Sequence, residues 1–351
     1  MSSERRTDRN RAESLRRIRL RNRRIRIVRS IVLIVIVLVI MLLCFLCIKA
    51  VNDNRIKDWY DTESRFGNII DEQVVTDKLN LMAEDVCVVR LTDTSPTEEF
   101  TPEAGLAAYI DNPYVSFSKN ALVKMNPAST TKIMTAIVAL KYGNMEDIVT
   151  VPPEAYIDEP GASLAGIKPG QTIPMEQLMY GLLLPSGNDC ANAIAVHIAG
   201  SIEAFADMMN AEAASIGAVH THFVNPNGLT AEDHYSTAYD LFLMINEALK
   251  YDKFVEISGT KNYTAEFLDE DGLAISKTWT NSNKYVNGSA ELPENVKAIA
   301  GKTGTTLAAG SCLVLVTDDN ENRRKVTVVL KAANRNALYE NMDFLLLNFN
   351  N

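Results

Sequence analysis

The sequence Pro127-Ala128-Ser129-Thr130-Thr131-Lys132-Ile133-Met134-Thr135-Ala136 decides how the rest of the chain is interpreted. It begins a run of good helix formers that continues to Lys141 and ends near Gly143. Positions three apart share one face of a helix, so Ser129 and Lys132 are predicted to lie side by side. A lysine whose pKa is lowered by burial or by a nearby cation can take the proton of a serine hydroxyl. We therefore expect Ser129 to be a nucleophile and Lys132 its base.

The S-x-x-K spacing alone is a weak signal, because it occurs twice more, at Ser116–Lys119 and Ser258–Lys261. The residues after Ser129 set it apart, since they leave almost no polar face on the helix. A helix that is apolar all round is a buried one. A buried serine and a buried lysine are costly unless they are paired or used. This context favours Ser129 over the other two serines.

The start of the chain differs in charge from the rest. Residues 1–29 contain twelve arginines, no lysine and three acidic residues, a net charge of +9, whereas the whole chain carries −9. The apolar run at 31–48 is long enough to cross a bilayer as a helix. Basic residues before a span predict a cytoplasmic N-terminus, so we interpret the arginines as a topology determinant and not as a nucleic-acid site. The predicted segments are a cytoplasmic tail (1–29), a single transmembrane helix (30–49), a stalk (50–80) and an extracytoplasmic domain (81–351).

Hydrophobic periodicity predicts a helical middle with strands before and after it. Strands are predicted at 85–93, 105–111, 114–118, 263–267, 297–302, 311–317 and 325–333. Helices are predicted from Ser129 to Lys141 and at 175–184, 189–198, 201–216, 241–249 and 336–349. This order indicates an α+β fold in which an antiparallel sheet is flanked by helices and carries an inserted all-helical lobe.

The cysteines and histidines do not form a metal or disulfide pattern. Two of the five cysteines fall in the apolar run, and the remaining three cannot all pair within one domain. Those three are Cys87, Cys190 and Cys312. The pair His220-x-His222 has no partners at ligand spacing, so we interpret it as structural. We expect no metal and no cofactor.

Two further motifs follow in the chain. Ser186-Gly187-Asn188 lies on a predicted tight turn between helices, although serine and asparagine are also ordinary helix caps. Lys302-Thr303-Gly304 is the only K-T-G. Glycine inside a strand often marks the close approach of a ligand or of another backbone. Lys302 and Thr303 beside such an opening suit a carboxylate.

The order S-x-x-K, S-x-N, K-T-G is the set found in penicillin-binding proteins and related β-lactamases. The flanks of all three motifs, and the blocks 223–229 and 234–241, closely resemble the serine D-alanyl-D-alanine carboxypeptidase family, the low-molecular-mass penicillin-binding proteins. The resemblance covers roughly residues 105–335. It implies a β-lactamase/transpeptidase-like fold and a bacterial source.

The resemblance also implies a role for each motif residue. Ser129 would attack the carbonyl of the penultimate D-alanine, and Lys132 would take its proton. The backbone N–H groups of Ser129 and Thr305 would form the oxyanion hole. Ser186 would relay a proton to the leaving D-alanine, and Asn188 would hold the substrate amide and orient Lys132.

Substrate binding is implied for the K-T-G strand. Lys302 and Thr303 would bind the terminal carboxylate, and the strand edge around Gly304 would pair with the peptide. The implied ligands are peptidoglycan stem peptides ending in D-Ala-D-Ala, and β-lactams, whose ring amide imitates that bond. Many family members carry a C-terminal anchor, whereas the predicted span of this chain lies near its N-terminus and places the enzyme at the bacterial cell membrane.

Three other functions share these motifs. A penicillin-binding sensor or scaffold would be acylated without turnover, but a pure binder does not need Lys132, Ser186 and Lys302 together. A serine β-lactamase needs a glutamate that positions water; Glu154 and Glu159 lie between the first two motifs but lack E-x-x-L-N surroundings. Endopeptidase or transpeptidase activity on cross-links is the nearest variant, and the residues do not separate it from carboxypeptidase activity.

Overall fold

The computed structural model describes residues 99–110 and 115–349. The predicted tail, span and stalk (1–80) and the strand predicted at 85–93 lie outside the described residues. Within the described part, no helix is both long enough and apolar enough to cross a membrane.

The predicted strands and helices that fall within the described residues occur in the predicted order. The strands at 148–150, 172–174 and 274–280 and the helices at 252–258 and 284–287 were not predicted. The strands are β1 Ala104–Tyr109, β2 Val115–Lys119, β3 Ile148–Thr150, β4 Thr172–Pro174, β5 Asn262–Leu268, β6 Ala274–Thr280, β7 Lys297–Thr306, β8 Gly310–Asp318 and β9 Arg324–Ala332. The α-helices are α1 Lys132–Tyr142, α2 Met175–Leu183, α3 Asn188–Ala199, α4 Ile202–Ser215, α5 Ala238–Ala248, α6 Asp252–Ser258, α7 Lys284–Asn287 and α8 Arg335–Asn348. A 3₁₀ turn at Ala128–Thr131 leads directly into α1.

The main sheet has five antiparallel strands in the order β2-β1-β9-β8-β7. Successive side chains of a strand point to opposite faces. In β8, Leu313 and Leu315 belong to the core under α8, whereas Val314 and Val316 belong to the larger core under the helices of the lobe. Both faces of the sheet are therefore covered, which explains why β8 reads as a continuous apolar run. β7 lies at one edge of the sheet.

The lobe between β2 and β7 is mainly helical, and the predicted α+β class with an antiparallel sheet is confirmed. The lobe is not made of helices alone, because β3, β4, β5 and β6 form a second antiparallel sheet. The strands β3 and β4 have three residues each, too few for an alternating pattern to be visible in the sequence. The pairing of β4 with β5 is a single bridge, Thr172 with Leu268, so the sheet is assembled from distant short pieces.

Helix α1 is the central element of the larger core. Every residue from Lys132 to Ala139 is buried, as the absence of a polar face predicts. Helix α5 is capped by Thr237, whose hydroxyl accepts a hydrogen bond from the backbone N–H of Asp240 at 3.0 Å. The buried thiols of Cys190 and Cys312 are free.

Candidate active site

The Ser129 turn is held in an uncommon backbone conformation. Ala128 has φ 49°, in the left-handed region. The turn at 225–229 packs directly against it: a Cβ on Gly228 would lie 2.0 Å from the Ala128 carbonyl oxygen, so no larger residue fits there. Ser129 itself is half-buried, at the point where the 3₁₀ turn meets α1. The serine is thus presented at the mouth of a buried helix.

Lys132 makes three contacts with oxygen atoms. Its Nζ lies 2.9 Å from Ser129 Oγ, 2.6 Å from Asn188 Oδ1 and 2.6 Å from the carbonyl oxygen of Asn227. None of these partners is charged, and the side chain is fully buried. Burial lowers the pKa of Lys132 well below its usual value, and the charge of Lys302 lowers it further. The site therefore favours a neutral amine beside the Ser129 hydroxyl.

A second buried lysine lies on β7. Lys302 Nζ donates to Ser186 Oγ at 2.8 Å and to the Thr303 carbonyl at 3.0 Å. Burial lowers the pKa of Lys302 to about 7. Ser186 has φ 66°, so the predicted tight turn is present and points its hydroxyl at this lysine. The Thr303 hydroxyl lies 2.7 Å from the hydroxyl of Ser282.

The edge strand β7 passes very close to Ser129. A Cβ on Gly304 would lie 2.9 Å from the backbone nitrogen of Ser129 and 3.0 Å from the Ala128 side chain. Only glycine allows this approach without displacing backbone. Thr305 follows and is exposed. An edge strand offers unpaired backbone groups to an extended peptide.

A cleft of about 690 Å³ opens beside Ser129. Next to the wall formed by residues 159–163, Asp189 accepts hydrogen bonds from the backbone N–H groups of Ala165, Gly166 and Ile167 at 2.6 to 3.1 Å. Ser186, Lys302 and Thr303 lie outside its walls. The residues around the cleft are Ser129, Asn188 and those at 159–163, 228–230, 305–308, 310–311 and 333–335.

Of the other seven predicted site residues, Lys132 and Gly304 lie directly beside Ser129, and Asn188 contacts Lys132. Thr305 lines the same cleft as Ser129, Ser186 contacts Lys302, and Thr303 contacts Ser282.

The structure also adds three residues to which the sequence assigned no role: Asn227, His234 and Ser282. Asn227 acts through its backbone carbonyl, which carries no side-chain signal. His234 bridges the Thr131 hydroxyl, 2.9 Å from its Nε2, and the backbone N–H of Val224, which donates to its Nδ1 at 3.2 Å.

The other S-x-x-K strings do not form such pairs. Ser116 and Lys119 lie on β2, and Lys119 Nζ donates to the carbonyls of Phe100 and Pro102. Ser258 ends α6, so Lys261 lies beyond the helix. In the residues that the structure describes, no group of three or more His, Cys, Asp or Glu side chains is placed to hold a metal ion.

Comparison with known sequences gives a match over nearly the same residues as the structure describes. Residues 100–334 match the sequence model of the S11 peptidase family, described as D-alanyl-D-alanine carboxypeptidase. The chain is 34% identical over 248 residues to the D-alanyl-D-alanine carboxypeptidase DacF of Bacillus subtilis. This alignment covers 69% of this chain and 60% of DacF. It is 36% identical over 219 residues to DacA of Escherichia coli, covering 58% of this chain and 50% of DacA. The match thus spans half to three-fifths of these two relatives.

Solved structures give the same result. The DD-transpeptidase of Streptomyces strain K15 superimposes with a TM-score of 0.63 at 30% identity, covering 72% of this chain and 98% of that one. The D-alanyl-D-alanine carboxypeptidase of Mycobacterium tuberculosis gives a TM-score of 0.62 at 28% identity, covering 72% and 92%. Together with the site geometry and the match over most of the described residues, these comparisons show that the chain belongs to the D-alanyl-D-alanine carboxypeptidase family of peptidases, S11.

Proposed function

We propose that the chain is a serine D-alanyl-D-alanine carboxypeptidase, which removes the terminal D-alanine from peptidoglycan stem pentapeptides through an acyl-enzyme on Ser129. The observation that supports this most directly is the set of three contacts around Lys132 Nζ, made with Ser129, Asn188 and Asn227.

For a neutral Lys132, these contacts support proton transfer from Ser129 to the amine. A neutral amine has two N–H groups and one lone pair. Asn188 Oδ1 and the Asn227 carbonyl only accept hydrogen bonds, so they take both N–H groups. The lone pair then faces Ser129, whose hydroxyl donates to it. Lys132 thus removes the proton of Ser129 as the oxygen attacks the peptide carbonyl, and general-base help of this kind is worth about 10² to 10⁴ in rate.

The developing oxyanion faces backbone N–H groups. Those of Ser129 and Thr305 lie where β7 crosses the Ser129 turn, and one such donor contributes about 3 to 4 kcal/mol of transition-state stabilisation. On the leaving side, the hydrogen bond between Ser186 and Lys302 provides a route for a proton to the D-alanine nitrogen. Lys302, when charged, and Thr303 bind the free carboxylate.

The acyl-enzyme is then hydrolysed by water. β-Lactams enter the same reaction, because their ring amide takes the place of the acyl-D-alanine bond, and their adduct stays on Ser129. We further propose that residues 30–49 anchor the protein in the bacterial membrane with residues 1–29 inside, as their charge distribution favours. Residues 81–351 then work outside the membrane, where peptidoglycan lies.

The test is release of D-alanine from a muramyl pentapeptide ending in D-Ala-D-Ala. We expect tetrapeptide and free D-alanine with the unaltered protein and neither with Ser129→Ala or Lys132→Ala. The two variants differ with fluorescent penicillin. Ser129→Ala forms no adduct, whereas Lys132→Ala is acylated slower by about 10² to 10⁴. A label that persists in Ser129→Ala would exclude Ser129 as the nucleophile.

The same assay separates the other functions. A second candidate is transfer to or cleavage of cross-links, favoured by the likeness to a solved structure named as a DD-transpeptidase. With an amino-acid acceptor present, transfer would release D-alanine and join the tetrapeptide to the acceptor through a new peptide bond, in place of free tetrapeptide. Acylation by penicillin without D-alanine release would indicate a sensor. Rapid release of hydrolysed penicillin would indicate a β-lactamase, with Glu159 on the wall of the cleft as the residue to test.

A further inference from the structure

Ser282 is the nearest side chain to the Thr303 hydroxyl in the hydrogen-bond network. The distance between the two hydroxyl oxygens is 2.7 Å, and Ser282 follows β6 by two residues. Its backbone N–H donates to the Leu184 carbonyl at 2.8 Å, which fixes it beside the Ser186 turn. The residues on either side, Asn281 and Asn283, are buried. Ser282 is therefore held in place by its backbone, and its hydroxyl is available to act on Thr303.

The proton inventory around Thr303 gives this contact a direction. A threonine hydroxyl has one proton and two lone pairs. Lys302 donates to the Thr303 carbonyl and to Ser186, so it does not use the Thr303 hydroxyl. If Ser282 donates to a lone pair of Thr303 Oγ1, the Thr303 proton remains free. A carboxylate accepts and cannot donate, so it requires that free proton.

We propose that Ser282 is a positioning residue for carboxylate recognition: its hydroxyl donates to Thr303 and thereby turns the Thr303 proton toward the free carboxylate of the substrate or of a β-lactam. This inference rests on the proposed function of Lys302 and Thr303. It adds that selectivity for a free carboxyl terminus, over an ester or amide, depends on a residue that does not itself touch the ligand.

The experiment compares ligands that differ only in the carboxyl group. One pair is a peptide ending in D-Ala-D-Ala and its C-terminal amide; the other is benzylpenicillin and its methyl ester. For Ser282→Ala we expect the preference for the free acid to fall about five- to tenfold, the effect of one ordinary hydrogen bond, because Thr303 keeps its hydroxyl and loses only the group that orients it. With the peptide, the change lies in KM and not in kcat. Ser282→Thr keeps a hydroxyl and should restore the preference, and Ser276→Ala, an exposed serine of β6, should leave it unchanged.

A double-mutant cycle separates positioning from direct contact. In a Thr303→Val background, Ser282→Ala should cause no further loss. An unchanged preference in Ser282→Ala, or an equal additional loss in the Thr303→Val background, would overturn the inference. The two ligand pairs keep it distinct from the proposed function. If the protein releases no D-alanine but its acylation depends on Ser282 in this way, the carboxypeptidase proposal fails and the Ser282 inference stands. If D-alanine is released and Ser282→Ala does not change the preference for the free acid, the carboxypeptidase proposal stands and the Ser282 inference fails.

Discussion

At the scale of single residues, the oxygen atoms that contact Lys132 Nζ are all uncharged, so none of them offsets the lowering of the Lys132 pKa by burial and by Lys302. A single substitution, Asn188→Asp, gives one of these partners a negative charge. In Asn188→Asp, a carboxylate replaces an amide 2.6 Å from Nζ. An opposite charge at this distance raises a lysine pKa, so the protonated form persists to higher pH. We expect the rising limb of the acylation rate with fluorescent penicillin to move upward by about one to three pH units.

The control is Asn188→Ala, which removes the same acceptor without adding charge. This variant should lower the acylation rate across the pH range. The pH at which the rate rises should be no higher than in the unaltered protein. Both variants are measured as second-order rate constants between about pH 5 and pH 10. An identical limb in the Asp and Ala variants would show that the charge state of Lys132 does not control the step.

Sequence alone predicted most of the side chains that make the contacts of the candidate site. Ser129, Lys132 and Lys302 stood out because each motif has a fixed local spacing. Asn227 and Ser282 did not, for two different reasons. Asn227 contributes a backbone carbonyl that any residue possesses. Ser282 meets Thr303 across 21 residues of chain, and no local spacing encodes that contact.

At the scale of elements, the approach of β7 to the Ser129 turn depends on one missing side chain. In Gly304→Ala, the added Cβ would lie 2.9 Å from the Ser129 nitrogen and 3.1 Å from the Pro127 oxygen, both backbone atoms. The strand and the turn must therefore separate. A displacement of this kind is worth about 10² in rate, so we expect acylation by penicillin to slow by that factor. The far-UV spectrum should be unchanged, and full activity in this variant would contradict the close approach.

His234 links Thr131, at the end of the 3₁₀ turn before α1, to Val224, and the two contacts require a neutral ring. Its Nδ1 accepts from Val224, so Nε2 carries the hydrogen and donates to Thr131. Burial, with the charges of His222 and Lys132, lowers the pKa of His234 from 6.5 to about 4. The unfolded chain thus binds this proton at higher pH than the native protein does. The stability is fully present above about pH 6.5 and is lost as the pH falls toward 4, by on the order of 3 kcal/mol.

The measurement is urea unfolding of His234→Gln and of the unaltered protein at about pH 7 and pH 4. Glutamine does not titrate, so the variant should start less stable at pH 7 but lose less stability on acidification. The matched control is His220→Gln, because the His220 side chain is exposed and should contribute little. Equal losses in His234→Gln and the unaltered protein would exclude His234 as the acid-sensitive group.

Helices with a long periodic stretch of sequence were predicted to within a few residues, whereas the shortest strands were not predicted. α3 and α4 were predicted at 189–198 and 201–216 and are observed at Asn188–Ala199 and Ile202–Ser215. The strand at 263–267 was predicted, but the second sheet was not. Every second residue of β5 and β6 is exposed, as in a sheet with one solvated face, yet their partners β3 and β4 have only three residues each. Pairing across a sheet is set by partners that are distant in sequence, so local propensity does not reveal it.

At the scale of the whole molecule, the described residues contain both cores and every site residue. A chain beginning near residue 75 should therefore fold, remain soluble without detergent and bind fluorescent penicillin. The control is the full-length protein in detergent, and we expect both proteins to bind the same amount of fluorescent penicillin per mole. Loss of binding in the shorter chain would mean that residues before 75 are part of the fold.

The charge contrast between residues 1–29 and the remainder predicts the orientation in the membrane. Protease added outside spheroplasts should digest the domain at 81–351 and spare a short arginine-rich fragment. An antibody against the tail detects that fragment, and lysed spheroplasts, in which the tail is also digested, are the control. Protection of the domain in intact spheroplasts would reverse the assigned orientation.

The hydrogen bonds that surround the two lysines also have a consequence for folding kinetics. They join residues 56, 95 and 116 positions apart in the chain. Contacts of such long range form late, because the intervening chain must be ordered before they contribute. During refolding, helical ellipticity should therefore recover before the protein can be labelled by fluorescent penicillin. A newly translocated chain would then pass through an interval in which it is largely structured and yet resistant to the antibiotic.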